Sequence, residues 1–122
     1  MFISKSVISL FVMSKSDILK TEFAKDFRKG LLKFFILKML AKEDMHGYAM
    51  MSRIEEVSGW KLSSGSMYPA LLNLTTEGLV KTKVFKIRKV YSITPKGRQF
   101  IGTLMENLDS GLNEFRKIFE EL

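Results

Sequence analysis

Apolar residues recur at helical spacing in the first third of the chain. The first run follows Asp17, a favourable N-cap residue, and places Phe23 and Phe27 on one face before Gly30. A second run, over residues 31–41, carries a broad apolar stripe with lysines outside it. Since glycine commonly closes a helix, the pattern predicts two helices that are separated at Gly30.

Two further helices are predicted before residue 80. The first covers residues 47–57 and ends at a Ser-Gly pair. The second contains Pro69, which a helix tolerates within its first turn, so this helix should begin at about Met67 and end at Gly78. The preceding serines offer hydroxyl groups for the helix start, and we expect Ser64 and Ser66 to act as caps.

After residue 78 the apolar residues recur at every second position. Alternating apolar and polar residues predict short strands over residues 79–85 and 89–94, joined by a tight basic tip at residues 86–88. Thr94 and Pro95 form a typical helix start, with Thr94 as the N-cap, and this last helix should run to the C-terminus.

The order of these elements predicts a mainly α fold with a small β-hairpin, the layout of a winged helix-turn-helix, here with one further helix at each end of the chain. In a helix-turn-helix the second helix of the pair, here residues 67–76, enters the major groove of DNA. The corresponding domain boundaries are an N-terminal arm and helix over residues 1–29, a winged-helix DNA-binding domain over residues 30–94 and a C-terminal dimerisation helix over residues 95–122.

The distribution of charge supports a polyanionic partner. The 122 residues include 20 lysines and arginines and 13 aspartates and glutamates, which gives a net charge of +7. No acidic residue occurs from Gly78 to Met105, and this stretch contains the predicted hairpin. Because a one-signed stretch repels itself, we expect its basic residues to contact phosphate groups. The residues assigned to phosphate contact are Lys83, Lys86, Arg88 and Lys89.

Several classes of protein are disfavoured by composition. The chain has no cysteine and one histidine, so neither a disulfide nor a zinc site is expected, and no cofactor is predicted. No catalytic constellation is apparent, and we expect no enzyme. The longest apolar run without a charge, residues 6–14, is too short to span a membrane, which favours a cytoplasmic protein. That run is either an arm on a partner subunit or a segment upstream of a true start at Met13.

Four segments of the sequence resemble the PadR family of transcriptional regulators. Taken together, in this order and at this spacing, they form a specific signal over roughly residues 31–98. The segments are His46-Gly47-Tyr48, Ser64-Gly65-Ser66-Met67-Tyr68-Pro69-Ala70-Leu71, Glu77-Gly78-Leu79-Val80 and Val90-Tyr91-Ser92-Ile93-Thr94-Pro95-Lys96-Gly97-Arg98.

The resemblance implies a homodimer that binds a palindromic operator in double-stranded DNA, usually as a repressor. Some relatives respond to phenolic acids or to flat apolar drugs, so a small apolar or aromatic effector is a further partner that the resemblance allows. The single C-terminal helix is similar to that of the shorter family members, whose dimers are held by this helix and an N-terminal helix.

The predicted recognition helix departs from the family pattern. Relatives usually carry basic residues after the Tyr-Pro pair, whereas residues 63–78 contain no lysine or arginine. Affinity is therefore expected to come mainly from phosphates, with modest base readout through Ser66, Tyr68 and Asn73, of which Asn73 would pair with adenine. The Tyr68 hydroxyl and the hydroxyls of Ser64 and Ser66 are also expected to point at phosphate. An alternative function is a winged helix that serves as a protein–protein interaction module without DNA binding.

The last predicted helix carries apolar residues at alternating three- and four-residue steps, which is the seam of a helix packed along another helix. Gly111 fills the one missing place in this seam. Phe23 and Phe27 are expected to cover it from the partner subunit. The seam residues are Ile101, Leu104, Leu108, Phe115, Ile118 and Leu122.

Two aromatic side chains outside these elements are assigned structural roles. His46, the only histidine, is expected to fix a turn through a hydrogen bond. Trp60 is interpreted as a core residue that flanks a turn, with an aromatic shelf for a flat ligand as the less favoured alternative.

Overall fold

A computed structural model describes the backbone of residues 22–122 and the side chains from residue 28 onward. The chain divides into two units with the boundary after Leu32, and the core is that of residues 33–122. The predicted helix start at Asp17, the N-terminal arm and the side chains of Phe23 and Phe27 lie outside the described residues. The elements in order are α1 (Glu22–Lys42), α2 (Gly47–Ser58), α3 (Ser64–Thr76), β1 (Val80–Phe85), β2 (Arg88–Ile93) and α4 (Pro95–Glu121).

This architecture confirms the predicted mainly α fold with one hairpin, but the predicted break at Gly30 is wrong. Helix α1 runs without interruption from Glu22 to Lys42. Gly30 lies on its exposed face with open space where a side chain would be. A glycine inside a helix costs only about 1 kcal/mol, and the apolar periodicity continues past it, so the helix continues as well.

Helix α3 begins three residues earlier than predicted. It starts at Ser64, and Pro69 is its sixth residue. The carbonyl of Ser63 accepts the amides of Ser66 and Met67, each at 3.0 Å, so the first turn is closed by the backbone. Ser64 and Ser66 lie inside the helix, and the expectation that they cap it is wrong.

Pro69 costs the helix only one backbone hydrogen bond. The helix tolerates this loss because its apolar face stays packed. The apolar face that the sequence predicted for α3 is confirmed, because Met67, Leu71 and Leu74 are all at most 1% exposed.

The core of residues 33–122 is formed where this face meets α1, α2 and the base of the hairpin. The other buried apolar residues of residues 33–122 are Ile36, Leu37, Leu40, Met50, Ile54, Leu79, Val80, Tyr91, Ile93 and Ile101.

None of the helices in residues 22–122 combines the length and hydropathy that a membrane-spanning helix needs.

The hairpin, or wing, projects from this core. Its strands pair antiparallel from Val80 opposite Ile93 to Phe85 opposite Arg88, so the loop consists of Lys86 and Ile87 alone. Only Val80 of β1 is buried. On β2 the last three residues, Tyr91 to Ile93, are buried, so the hairpin leaves the core only beyond the Thr82–Tyr91 pair.

The start of α4 is joined to the end of α3 and the base of the wing. Thr94 caps α4 as predicted: its hydroxyl accepts the amide of Gly97 at 3.0 Å and donates to the carbonyl of Gly78 at 2.6 Å. Gly97 lies directly against the Leu79 carbonyl, and a Cβ atom there would also be 2.7 Å from the Ile93 side chain. This close approach lets the helix begin on the wing.

Two glycines of α4 provide a matched test of this packing. Gly97→Ala should lower the free energy of unfolding by about 2–3 kcal/mol, because its methyl group meets the backbone of Leu79. Gly102→Ala, in open space on the same helix, should raise it by about 0.5–1 kcal/mol. Urea unfolding at a fixed protein concentration measures both, and equal effects of the two substitutions would contradict the close approach of α4 to the wing.

Candidate nucleic-acid interface

A cleft of about 460 Å³ opens where the N-terminus of α2 meets α3 and the wing. It combines side chains from three separated parts of the sequence. Of the predicted DNA-contacting residues, the fold brings together Tyr68, Arg88 and Lys89 here. The lining residues are His46, Gly47, Tyr48, Tyr68, Arg88, Lys89 and Tyr91.

Tyr68 is positioned by the glycine that begins α2. A Cβ atom at Gly47 would be 2.9 Å from the Tyr68 ring and 3.0 Å from its hydroxyl oxygen, so the ring packs directly on the Gly47 backbone. The Tyr68 side chain stays 42% exposed. Its apolar edge is thereby covered while its hydroxyl remains available at the rim of the cleft, as is common for tyrosine.

The wing is tied to the start of α2 by backbone pairing. The Met45 amide donates to the Tyr91 carbonyl at 3.2 Å, and the Tyr91 amide donates to the Met45 carbonyl at 2.9 Å. His46 Nδ1 lies 2.8 Å from the carbonyl oxygen of Lys89, to which it must donate. The predicted hydrogen bond of His46 is confirmed, and it joins the turn to the wing.

The electrostatic character of the cleft suits an anion. No acidic residue occupies the first turn of α2, and its N-cap residue His46 makes no side-chain hydrogen bond to that turn. The positive end of the helix dipole is therefore not offset locally. Arg88 and Lys89 add two cations, and three tyrosines add phenol groups. Amide, guanidinium, ammonium and hydroxyl donors around one cavity are the groups that bind phosphate in proteins.

The other predicted contact residues lie outside the cleft. Asn73 is exposed on the outer face of α3, next to Leu72, which is 67% exposed. Ser64 is exposed in the first turn, and the half-buried Ser66 hydroxyl accepts from Ser63 at 3.4 Å. None of these side chains carries a charge, so α3 presents a neutral surface.

Lys83 and Lys86 are exposed on the wing but do not line the cleft. Lys86 adopts a φ of 60°, the left-handed region that favours glycine, and its ammonium lies 5.9 Å from the centre of the Phe85 ring. The cleft adjoins this basic tip, because Arg88, which lines the cleft, is the first strand residue after the loop.

The sequence prediction missed Tyr48 and Tyr91 as lining residues. Tyr48 is 74% exposed, whereas Tyr91 is 6% exposed with its ring in the core. Burial, and to a lesser degree the neighbouring Tyr68, raises the pKa of the Tyr91 phenol. The two segments that carry these tyrosines were noted for family resemblance, but their proximity depends on the pairing of Met45 with Tyr91.

The C-terminal helix carries a second candidate surface. Ile101 is buried in its own chain, Leu104 is half-buried and the exposed Phe100 stacks on Phe34, so the continuous exposed stripe begins only after them. The stripe is wider than the predicted seam, because Met105, Leu112 and Phe119 extend it. All residues from 105 to 122 are exposed. The stripe comprises Met105, Leu108, Leu112, Phe115, Ile118, Phe119 and Leu122.

Comparison with known proteins places the fold in a family. Residues 36–103 match the model of the transcriptional regulator PadR-like family, which is more than half of the chain. The chain belongs to the PadR-like family. The family is one of transcriptional regulators, which agrees with the sequence prediction of a regulator rather than an enzyme.

Two curated relatives support this assignment. The PadR-like chain is 28% identical to transcriptional regulator Rv3488 of Mycobacterium tuberculosis over 102 residues, which cover 80% of this chain and 84% of that protein. It is 35% identical to the negative transcriptional regulator PadR of Bacillus subtilis over 78 residues, which cover 57% of this chain and 42% of that protein. The matched part of the chain therefore covers less than half the length of two curated relatives. It covers most of the length of Rv3488.

Solved structures share the same architecture. A PadR family transcription regulator from Clostridium difficile superposes with a TM-score of 0.62 at 26% identity, covering 70% of this chain and 97% of that one. Bacillus subtilis PadR in complex with operator DNA superposes with a TM-score of 0.54 at 32% identity, covering 62% of this chain and 45% of that one.

The raised pKa of Tyr91 predicts an alkaline pH dependence of stability. The folded state holds the Tyr91 proton more tightly than the unfolded state, so this contribution is present below the ordinary pKa of 10.0 and is lost as pH rises above it. Tyr91→Phe should therefore reduce the fall in unfolding free energy between about pH 9 and pH 11. Tyr48→Phe, an exposed control, should leave the fall as in the wild type. Equal slopes for all three proteins would contradict the burial of the Tyr91 phenol.

Proposed function

We propose that this PadR-like chain binds double-stranded DNA as a homodimer and represses transcription from a palindromic operator. The cleft carries the proposal. It holds Tyr68, Arg88 and Lys89 against the uncompensated N-terminus of α2, which suits one backbone phosphate. The DNA complex of Bacillus subtilis PadR supports this use of the fold.

In this proposal affinity comes mainly from phosphates and sequence readout is modest. Helix α3 enters the major groove with Asn73 and Leu72 outward, where the amide pairs with adenine and the leucine meets thymine methyl groups. Ser64, Ser66, Lys83 and Lys86 contact the flanking backbone.

The backbone of Lys86 supports a functional role for the wing. A non-glycine residue in the left-handed region costs on the order of 1 kcal/mol, and here that residue is a lysine at the tip. Its charge serves phosphate binding in the proposed complex. A protein–protein module without DNA binding is less favoured, because its hairpin would more plausibly carry charges of both signs.

The exposed stripe of α4 supports the homodimer. The bare part of the helix, residues 105–122, is about 27 Å long at 1.5 Å per residue and carries apolar side chains along one face. Soluble proteins rarely expose a continuous apolar patch of this kind, and a second copy of the helix is self-complementary to it. In the proposed dimer the two-fold axis makes the operator palindromic, and the two α3 helices would lie about 34 Å apart, one turn of DNA.

The proposal has two further parts. The protein acts as a repressor in the cytoplasm, and it responds to a small apolar or aromatic effector. A groove of about 280 Å³ between α1 and α2 is the candidate effector site. Its apolar lining includes Phe35, Met39 and Val57, and Trp60 packs against Phe35 at 5.9 Å between ring centres, as a structural residue does.

The wing provides the first test of DNA binding. Replacing Lys86, Arg88 and Lys89 together with alanine should weaken binding to all duplexes alike. The slope of log affinity against log salt should flatten by about one unit for each phosphate that the variant no longer binds. Fluorescence anisotropy with a random-sequence duplex at several salt concentrations measures both quantities. A variant with wild-type affinity and slope would refute the proposed role of the wing.

The α4 stripe provides the second test. Leu108→Glu combined with Phe115→Glu places two charges in the proposed dimer interface and should produce monomers in sedimentation velocity. Because each charge would be buried without a partner, dimer affinity should fall by at least about 100-fold. Glu106→Gln with Glu114→Gln, on exposed positions of the same helix, should leave the dimer intact. A charged variant that stays folded, dimeric and fully active in DNA binding would exclude this interface.

A further inference from the structure

The groove between α1 and α2 continues past the cavity assigned to the effector. A second cavity of about 330 Å³ adjoins the first one and is lined also by Glu43 and Met45, in the turn before α2. The other end of the first cavity is apolar, with Phe35, Ile54 and Val57 in its lining. The groove therefore has an apolar end and a cationic middle. The side chains common to both cavities are those of Lys38, Met39, Lys42 and Arg53.

The cations in the middle of this groove are available to a ligand. In the part of the chain that the structure describes, no carboxylate lies within ion-pair distance of Lys38 or Lys42. Arg53 donates to Glu56 at 2.9 Å, but both side chains are more than half exposed, so this ion pair competes weakly with another anion. Glu43 lines only the second cavity. The first cavity therefore favours a ligand with an anionic group.

The apolar end of the groove suits a flexible chain better than a flat ring. A flat aromatic ligand gains most from aromatic side chains against its faces, and Phe35 is the one aromatic residue among the described residues that line the two cavities. Its ring already contacts Trp60, at 5.9 Å between ring centres. The other apolar groups are aliphatic and methionine side chains, which adapt to the shape of a ligand. From residue 35 to residue 42 the groove follows α1 for about 10 Å, the length of a medium-chain acyl group.

Charge and shape together identify the class of ligand. We infer that this groove binds the anion of a medium-chain fatty acid. Its carboxylate lies between Lys38, Lys42 and Arg53, where ammonium and guanidinium groups supply charge-assisted hydrogen bonds. Its chain lies against Phe35 and Val57, and each methylene that is buried there adds to the affinity. The effector of the proposed function is thereby assigned to a chemical class.

Met45 connects this groove to the DNA-facing cleft. Met45 lines the second cavity, and its amide and carbonyl are the groups that pair with Tyr91. Tyr91 in turn lines the cleft beside Arg88 and Lys89. A fatty-acid carboxylate at the second cavity displaces Met45 and disturbs this pairing. Fatty-acid binding should therefore weaken DNA binding, and DNA should weaken fatty-acid binding by the same factor; this step rests on the proposed function.

The binding experiment titrates the full chain with nonanoate in a calorimeter, without DNA. Hexanoate should bind about tenfold more weakly or worse, because each methylene removed lowers the affinity about two- to fourfold. Nonanol and nonylammonium, which keep the chain without the negative charge, should also bind about tenfold more weakly, as should cinnamate, an aromatic carboxylate with the same number of carbons. The fluorescence of Trp60, the only tryptophan, should change as nonanoate binds, since its ring packs on Phe35.

Two variants with the same change in net charge locate the carboxylate. Lys38→Gln with Lys42→Gln should weaken nonanoate binding by about tenfold and leave nonanol binding unchanged. Arg116→Gln with Lys117→Gln, at exposed positions of α4 outside the groove, should bind nonanoate as the wild type does.

The coupling experiment measures fluorescence anisotropy of a random-sequence duplex at low salt. Saturating nonanoate should weaken DNA binding by about fivefold or more, whereas nonylammonium at the same concentration should not. Met45→Ala leaves space beside the carboxylate, so it should still bind nonanoate but lose most of this effect on DNA affinity.

The possible failures are distinguishable. Absence of nonanoate binding, or equal nonanoate affinity in the two charge variants, would overturn the fatty-acid site and leave the proposed DNA binding standing. Cinnamate that binds as tightly as nonanoate would overturn the assignment of an acyl chain. Nonanoate binding with unchanged DNA affinity would overturn the coupling through Met45. Nonanoate binding by a wild-type protein that does not bind DNA would support the site and overturn the proposed function.

Discussion

The two backbone hydrogen bonds between Met45 and Tyr91 are the contact on which the DNA-facing part of this structure depends. A two-stranded hairpin is marginally stable by itself, and here the segment before α2 pairs with its second strand. That pairing holds the start of α2 beside Arg88 and Lys89, with the His46 side chain as a further bond to the wing. It thereby forms the cleft, because the N-terminus of α2 and the wing are its two opposite walls.

The surface around this contact divides its chemistry between two elements. Helix α3 has a neutral exposed face, whereas the wing carries the cations. Since phosphates contribute affinity without sequence information, a fold with this division binds DNA through the wing and discriminates through shape and apolar contact. The exposed Ile87 and the strained Lys86 are consistent features of such a wing, because each would be costly in a loop without a partner.

Helix α4 serves two structural purposes along its length. Its first turns belong to the core, where Gly97 lies against Leu79 and Ile101 is buried. Its remaining turns leave the core and present an apolar face with Phe115 and Phe119 stacked at 6.1 Å between ring centres. A rigid helix that is anchored beside the wing and paired at its far end would set the spacing of the two wings in a dimer.

The sequence by itself determined the class of fold, the capped start of α4, the apolar face of α3 and the basic hairpin, because these depend on local periodicity and on side chains close in sequence. Tertiary packing decided the rest. It kept α3 helical around Pro69, where burial of the apolar face outweighs a penalty of about 3 kcal/mol. It also removed Ile101 from the exposed seam and brought His46, Tyr68 and Tyr91 together. No local pattern encodes that meeting, since it arises from backbone pairing between segments more than 40 residues apart.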